Sequence, residues 1–226
     1  MRSNSMRNLA IIVLAAMSLI ALSVNAAQPA RETILGKSYG EWSAQWWQWL
    51  VSIPATTNPL AQSGPVDCAL GQRGPVIFLP GTLGGSPVVR SCTVPEKALF
   101  FPLVNFVAFN TPLPDPQLTV TEKRVLADSL ISLACDLSAS IDGIPLIHQV
   151  TLARAQSPIF SLLAGADDVL GRDPGALDTE ALSDGYWIMV PPLSVGAHTL
   201  RFTGGLCYPP GTSIFQVDVT YNLTVE

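Results

Sequence analysis

Residues 38–54 read SYGEWSAQWWQWLVSIP and contain four of the five tryptophans in a chain of 226 residues. Ser38 and Glu41 match the S-x-x-E capping box, in which the serine hydroxyl accepts a hydrogen bond from the amide three residues on and the glutamate binds the cap amide in return. Pro54 ends the helix, because the residue before a proline is driven out of the helical conformation. The stretch therefore predicts one short amphipathic helix, against which the downstream strands pack.

The tryptophans of this helix are predicted to face two directions. Four apolar residues fall within about 60° of one another at helical spacing: Trp42, Trp46, Trp49 and Ile53. Burial of three indoles contributes about 10–15 kcal/mol gross, an upper bound before conformational entropy is counted, so this stripe is expected to anchor the helix in the core. Trp47 points away from the stripe, and we expect it to be exposed and available to contact a ligand.

The first 26 residues have the three parts of a secretory signal peptide. Arg2 and Arg7 form a basic start, residues 9–24 an apolar core, and Val-Asn-Ala at 24–26 a small-residue cleavage site. The apolar core is short for a membrane span, and no stop-transfer pattern follows it. We therefore expect a mature chain that starts near Ala27, is secreted or periplasmic, and has no membrane span after cleavage.

The charge of the mature chain argues against two kinds of partner. The full chain has 12 basic and 17 acidic residues, and loss of Arg2 and Arg7 leaves 10 basic residues and a net charge of −7. An acidic domain repels phosphate groups, so we expect neither a nucleic-acid partner nor attachment to an anionic membrane surface.

All four cysteines lie in the mature part of the chain. In an oxidising compartment an even number of cysteines indicates disulfides, and four cysteines allow three pairings. We favour Cys68–Cys92, since both residues lie in Pro/Gly-rich loops, together with Cys135–Cys207. A zinc site is disfavoured, because no C-x-x-C spacing occurs.

Much of the remaining chain shows the patterns of β-strands. Residues 215–225 alternate apolar with polar side chains, which predicts a strand with one wet face. Asp142-Gly143 between two isoleucines predicts a two-residue hairpin turn. The apolar run 98–109 predicts a central strand, or two strands broken at Pro102. The whole pattern predicts a single domain over 27–226, mainly β with two helices, built as an antiparallel β-sandwich or a jelly-roll-like fold.

The second predicted helix covers residues 119–137. Thr119 and Glu122 form another S/T-x-x-E capping box at its start. Leucines then repeat at i, i+4, i+7 and i+11 and predict one apolar face: Leu126, Leu130, Leu133 and Leu137. Cys135 lies on the opposite, polar side of this helix, where a free cysteine is unusual, and this position favours a disulfide.

No motif of the sequence predicts a catalytic class. The glycine-rich turn at 81–85 lacks the lysine of a P-loop, and the one G-x-S-x-G match, at 36–40, has the helix-capping Ser38 as its serine. His148 and His198 lie on the apolar faces of their predicted strands, where a hydrogen-bonded core histidine is the ordinary outcome. In an enzyme they would work with loop carboxylates such as Asp167 and Asp168. Asp167, Asp168 and Asp173 are weak calcium candidates, but they lack the spacing of a compact calcium loop, so we expect no metal and no cofactor.

Four blocks of the sequence together resemble a family of uncharacterised secreted bacterial proteins. They are SYGEWSAQWWQWLVSIP at 38–54, GQRGPVIFLPGTLGG at 71–85, CTVPEKALFFPLVN at 92–105 and DGYWIMVPPLSVGAHTLRFTGG at 184–205. The resemblance covers nearly the whole mature chain and implies export, bacterial origin and a single domain. The family has no established activity, so the resemblance assigns no catalytic residue.

Binding rather than catalysis is the function that we expect. Exposed tryptophan and tyrosine faces stack on sugar rings, so Trp47, Tyr39 and Trp187 are the candidate contacts to a carbohydrate ligand. A protein partner is the other expected kind of ligand. Two alternatives stay open. One is a hydrolase or lyase of extracellular polysaccharide that uses the histidines and loop acids, and the other is a structural component of the cell envelope.

Overall fold

The computed structural model describes residues 33–111, 117–146 and 152–226. The predicted signal peptide and His148 lie outside the described residues. Within them the chain is mainly β with two helices, as predicted, and the helices are α1 (Tyr39–Ser52) and α2 (Val120–Ile131). No helix in the described part is long and apolar enough to cross a membrane.

The described strands form one short hairpin and two larger sheets. In chain order they are β1 (Thr33–Ile34), β2 (Lys37–Ser38), β3 (Gly64–Pro65), β4 (Val76–Phe78), β5 (Val88–Val94), β6 (Ala98–Ala108), β7 (Ala134–Ile141), β8 (Ile144–Pro145), β9 (Leu152–Arg154), β10 (Phe160–Leu163), β11 (Leu177–Val190), β12 (Gly196–Cys207) and β13 (Ser213–Val225). The first sheet has the order β10-β11-β6-β4, with β9 also paired to β11, and the second has the order β3-β5-β13-β12-β7-β8. Most pairs are antiparallel, but β13–β5, β3–β5 and β4–β6 are parallel.

The two sheets pack face to face, and α1 covers the outer face of the first sheet. On β6, Phe101 points into the sandwich, where its ring stacks on Phe202 of β12 with centroids 4.7 Å apart. Its neighbour Phe100 points the other way, into the cluster formed by the tryptophans of α1. Because both faces of β6 are covered, its side chains are apolar at consecutive positions rather than alternately.

Strand β6 is continuous, so the predicted alternative of two strands broken at Pro102 is wrong. The register of β6 against β11 shifts at this point, with Tyr186 opposite Val104 and Trp187 opposite Pro102. The parallel partner β4 ends opposite Phe100, so Pro102 lies beyond it and no ladder bond to β4 is lost.

Helix α1 begins and ends where the sequence predicts. The Ser38 amide donates to the Glu41 carboxylate at 2.8 Å, and the Glu41 amide donates to the Ser38 hydroxyl at 3.3 Å, which completes the capping box. Ile53 is already extended before Pro54. The helix also lies very close to the chain beside it: a Cβ on Gly40 would overlap the carbonyl oxygen of Gln156, so glycine is required there.

The predicted burial of the tryptophan stripe is confirmed, but the predicted exposure of Trp47 is wrong. Trp42, Trp46 and Trp49 are all buried, and Trp47 is only 6% exposed. The ring of Trp47 meets that of Trp46 edge-on, with centroids 5.0 Å apart. The helix is covered on more than one side, because later parts of the chain pack against it beyond the sheet.

Helix α2 is shorter than predicted and buries a different face. Its capping box forms, but the helix ends at Ile131, and residues 134–141 form strand β7. Lys123, Ala127 and Ile131 are the buried residues, whereas Leu126 is 38% exposed, so the predicted leucine face is wrong. Packing of α2 is organised around a buried ion pair instead of around leucines.

That ion pair joins α2 to β11. The Lys123 ammonium donates to the Asp178 carboxylate at 2.6 Å and to the Glu180 carbonyl at 3.1 Å, with the lysine side chain fully buried. Burial raises the pKa of Asp178, but the hydrogen bonds from Lys123 and from the amides of Asn110 and Glu180 outweigh it and hold the pKa below its ordinary value. The carboxylate therefore stays ionised in the folded protein.

Both favoured disulfides are confirmed. Cys68–Cys92 joins the loop before β4 to β5, with Cα atoms 5.8 Å apart, and Cys135–Cys207 joins β7 to the end of β12, with Cα atoms 6.0 Å apart. The Asp142-Gly143 hairpin is also confirmed, since both residues have positive φ, 52° and 79°, between β7 and β8. Positive φ at both central positions is the requirement of a type I′ turn, which these residue types satisfy.

Candidate functional site

An apolar groove of about 650 Å³ lies among the described residues. Ten residues line it: Ile34, Leu35, Tyr39, Pro75, Glu96, Lys97, Ala98, Met189, Pro191 and Pro192. We call it the Tyr39 groove. Its volume lies in the range of small-molecule sites, which are about 300–1,000 Å³ and mostly apolar.

The groove exists because several elements end at the same place. Strand β11 stops at Val190, since Pro191 and Pro192 follow it and lack the amides that would extend the ladder. The hairpin of β1 and β2 supplies Leu35, which sits in the turn with φ 52° and is 52% exposed. The groove wall is thus formed by strand ends and a turn, and its apolar side chains face outward.

Two adjacent residues of opposite charge lie at the groove. The Lys97 ammonium donates to the carbonyl of Gly74 at 2.8 Å, while the Glu96 carboxylate has no hydrogen bond or ion pair with any described residue. The lining contains neither a nucleophile beside a base nor a pair of carboxylates. The arrangement is suited to hold an apolar body with a polar end and offers no catalytic dyad.

The three predicted carbohydrate contacts do not form an exposed aromatic surface. Tyr39 is 7% exposed and lies in the groove wall, where its ring packs against Phe100 with centroids 5.8 Å apart. Trp187 is fully buried, and its ring stacks nearly parallel on that of Phe100, with centroids 5.0 Å apart. With Trp47 also buried, the expectation that these rings present open faces to sugars is wrong, because all three take part in the core.

The predicted loop acids do not converge on a common site either. Asp168 is buried and its carboxylate accepts from Nε of Arg172 at 2.6 Å. Asp167 is exposed and accepts from the amide of Thr56 at 3.1 Å, and the exposed Asp173 lies in the turn that follows. Among the described residues, only the cysteines and aspartate at 135, 136 and 207 come close enough to share a metal, and both cysteines are in a disulfide.

His198 lies at the surface in an arrangement that superficially resembles a catalytic triad. Its Nδ1 is 2.8 Å from the Asp142 carboxylate, and its Nε2 is 3.3 Å from the Ser194 hydroxyl. However, Nε2 lies closer to the carbonyl oxygen of Ser194, at 2.9 Å, and a carbonyl only accepts. With an acceptor at each nitrogen, these contacts favour the doubly protonated ring, and Nε2 is directed at the carbonyl instead of serving the serine as a base.

The His198–Asp142 pair instead fastens the β7–β8 hairpin to the start of β12. Hydrogen bonds to the Asp142 carboxylate and the Ser194 carbonyl raise the pKa of His198 above its ordinary value. The hydrogen bond from the Thr199 amide contributes most to lowering the pKa of Asp142, and the hydrogen bond to the His198 ring adds to it. We refer to these contacts as the hairpin clasp.

The clasp predicts a specific pH dependence of stability. A raised histidine pKa contributes stability that is present below the unfolded pKa of about 6.5 and is lost as pH rises through the folded pKa. The lowered pKa of Asp142 contributes stability at pH values above the unfolded pKa of about 3.9, and this stability is lost as pH falls through the folded pKa. The melting temperature of the native chain should therefore exceed that of His198→Gln most near pH 5, by the equivalent of at most about 1 kcal/mol.

Thermal melts of the two chains from pH 4 to pH 9 check this prediction. His148 is present in both chains, so its titration cancels in the difference. A difference that grows towards pH 9 would contradict the clasp, since the imidazole would then contribute mainly in its neutral form.

Sequence reasoning found one residue of the groove, Tyr39, and missed the others. The proline pair at 191–192 was the available signal, since it marks the abrupt end of a buried strand beside an apolar wall. Comparisons with protein-family models, curated proteins and solved structures gave no match to this chain.

Proposed function

We propose that this chain is an exported, non-catalytic domain that binds a small amphipathic ligand in the Tyr39 groove. The observation that carries the proposal is the groove itself, about 650 Å³ in volume and walled by aliphatic, proline and tyrosine side chains. The signal-like first 26 residues and the two disulfides support a secreted or periplasmic location.

The composition of the wall favours an apolar body over a sugar. Carbohydrate recognition by stacking needs open aromatic faces, and Tyr39, the aromatic residue in the lining, is only 7% exposed. Leu35 offers the largest exposed apolar side chain in the groove. Glu96 and Lys97 carry opposite charges at its edge, and this pairing suits a zwitterionic head group. A single-chain amphiphile with such a head is therefore the proposed ligand class.

Displacement of an apolar dye tests the proposal. N-phenyl-1-naphthylamine fluoresces in apolar sites, and dodecylphosphocholine below its micelle concentration should displace it from the native chain. Leu35→Asn removes the apolar side chain at a position whose positive φ asparagine tolerates. A bound ligand would cover the exposed half of the Leu35 side chain, and the loss of this apolar contact should weaken binding about tenfold.

Leu163→Asn is the matched control, because Leu163 is similarly exposed, at 57%, and does not line the groove. This variant should bind as the native chain does. Equal affinities for native and Leu35→Asn chains, or equal losses in the two variants, would contradict the proposal. Retention of a labelled oligosaccharide that the amphiphile cannot displace would restore the carbohydrate prediction.

The two other predicted functions receive no support from a specific contact. For the hydrolase or lyase alternative, the described candidates Asp168 and His198 are engaged with Arg172 and with Asp142. The structural envelope role and the resemblance to secreted bacterial proteins stay predictions. Turnover of a polysaccharide by the purified chain, lost on substitution of His198, would favour the enzyme.

A further inference from the structure

A second, smaller cavity of about 130 Å³ shares no lining residue with the Tyr39 groove. Twelve residues line it: Trp46, Trp47, Leu60, Gly81, Thr82, Leu83, Pro102, Leu103, Asn105, Leu170, Phe215 and Val217. We call it the donor pocket. None of these side chains carries a formal charge, and most are apolar.

The five indole N–H groups of the protein fall into two classes. Three donate to backbone carbonyls: Trp42 to Ile34 at 2.8 Å, Trp46 to Leu79 at 3.2 Å and Trp49 to Leu70 at 2.9 Å. The buried N–H groups of Trp47 and Trp187 have no acceptor among the described residues. A buried donor without a partner is costly, about 1–3 kcal/mol, and such groups are rare in native proteins.

The side-chain amide nitrogen of Asn105 is another buried donor without a partner, and it lies at the donor pocket. Trp47 and Asn105 both line the donor pocket. A Cβ on Gly185 would sit 2.8 Å from Cβ of Asn105 and 2.9 Å from Nε1 of Trp187, so these two side chains meet at one glycine. Trp46 links the indoles, since its ring lies 5.0 Å from that of Trp47 and 5.5 Å from that of Trp187.

A buried positive charge lies behind the wall of the donor pocket. Arg90 is fully buried behind its wall and donates to the carbonyls of Leu60, at 3.1 Å, and Gly81, at 2.8 Å, both of which line the pocket. Among the described residues no carboxylate pairs with Arg90; its partners are carbonyl oxygens and the hydroxyl of Tyr221. A buried cation without a counter-ion makes its surroundings favourable for a negative charge.

We propose that the donor pocket binds a small monovalent anion, either a halide or the carboxylate group of a small acid. The N–H groups of Trp47 and Asn105 donate to it, and Trp187, which does not line the pocket, lies next to Asn105 at Gly185. Neutral donors in a dry, apolar site bind anions strongly because little water competes for them. At about 30 Å³ per water molecule, the pocket has the volume of about four waters, which accommodates acetate or bromide and excludes large acids.

The indole cross-peaks in a ¹H–¹⁵N correlation spectrum provide the test. Five tryptophans give five such peaks, which single Trp→Phe variants assign. On titration with sodium bromide or sodium acetate, at ionic strength matched with sodium sulfate, the Trp47 peak should shift saturably and that of Trp187 should respond with the same dissociation constant. The N–H groups of Trp42 and Trp49 already donate to carbonyls and lie outside the pocket, so their peaks should stay in place.

Two variants remove donors without removing the pocket. Trp47→Phe, read on the Trp187 peak, and Asn105→Leu, read on both peaks, should each weaken binding about tenfold or more, the expected effect of losing one hydrogen bond to a charged group. Asn222→Leu is the matched control, since Asn222 is exposed on β13 and lies outside the pocket. Native-like dispersion of the remaining indole peaks shows that each variant is folded.

Several results would overturn the proposal. Absence of a saturable shift with bromide and acetate would mean that ordered water alone meets these donors. Equal shifts of all five indole peaks would mean a general salt effect, and unchanged binding in both donor variants would place the anion elsewhere. Response to bromide but not acetate identifies a halide site, and response to both identifies the carboxylate class. Leu35→Asn should leave these shifts unchanged, so the outcome is independent of the Tyr39 groove.

Discussion

Replacement of Arg90 by methionine should lower the free energy of unfolding by about 4 kcal/mol. Its guanidinium is fully buried and holds five acceptors at 2.8–3.1 Å: the carbonyls of Leu60, Gln62, Pro80 and Gly81 and the hydroxyl of Tyr221. Methionine fills much of the volume but donates no hydrogen bond, so these buried acceptors lose their donor together. The segments 60–62 and 80–81 would lose their common anchor to β5.

The same contacts keep Tyr221 neutral. Burial raises the pKa of Tyr221 to about 12, although the nearby Arg90 acts to lower it. The Tyr221 hydroxyl donates in turn to the carbonyl of Pro80 at 2.9 Å. Arg90 and Tyr221 therefore act as one hydrogen-bonded unit that places the 80–81 turn over the second sheet.

Chemical denaturation of the native, Arg90→Met and Arg201→Met chains measures the effect. Arg201 pairs with Asp218 at the surface, where solvent screens the pair, so its loss should leave the free energy of unfolding nearly unchanged. Arg90→Lys should also be strongly destabilised, because a single ammonium cannot reach the acceptors that the planar guanidinium spans. A cost for Arg90→Met no larger than that for Arg201→Met would show that these contacts are not coupled to folding.

Truncation of Trp46 to alanine should cost about 3–5 kcal/mol. The side chain is 1% exposed, and its ring meets those of Trp47, Trp49 and Trp187 within 6.1 Å. Its N–H also donates to the carbonyl of Leu79, so alanine leaves a cavity and an unpaired buried acceptor. Since α1 rests on the sheet through this residue, the whole helix should loosen.

Thermal and denaturant melts of Trp46→Ala, Trp46→Phe and Trp47→Phe rank these contributions. Trp46→Phe keeps part of the packing and should cost less than Trp46→Ala. Trp47→Phe loses no protein hydrogen bond, because its N–H has no acceptor among the described residues, and should cost least. If Trp47 were exposed, as the helical angles predicted, even Trp47→Ala would leave the free energy of unfolding nearly unchanged. Melts that rank Trp47→Phe below Trp46→Ala in stability would contradict the packing described for α1.

The sequence predicted those features whose causes are local. A capping box joins residues three apart, as in Ser38–Glu41 and Thr119–Glu122, and both boxes form. The Asp142-Gly143 turn depends on the φ preference of two residues, and alternation in 215–225 depends on the pleat of a single strand. The predicted export to an oxidising compartment and the four cysteines indicated two disulfides, and the favoured pairing formed.

The sequence did not predict which faces of the helices would be buried. Helical angles separate Trp47 from the stripe correctly, but burial depends on what lies on the other side of α1. Gly40 brings the helix against the backbone at Gln156, more than a hundred positions away, and so covers a second face. On α2 the Lys123–Asp178 pair draws a charged residue inward and leaves Leu126 outside.

Neither cavity is visible in the sequence, because each is assembled from distant segments. The Tyr39 groove joins a turn at 35, the start of α1 and the end of β11, and the donor pocket joins α1, β6, the 81–83 turn and β13. The sequence by itself determined the class of fold, the helix starts and the hairpin, since these follow from contacts over a few residues and from the periodicity of side chains. Only the tertiary structure decided which aromatic groups are buried, which donors lack acceptors and where an apolar wall faces outward, because these depend on how segments far apart in the chain pack together.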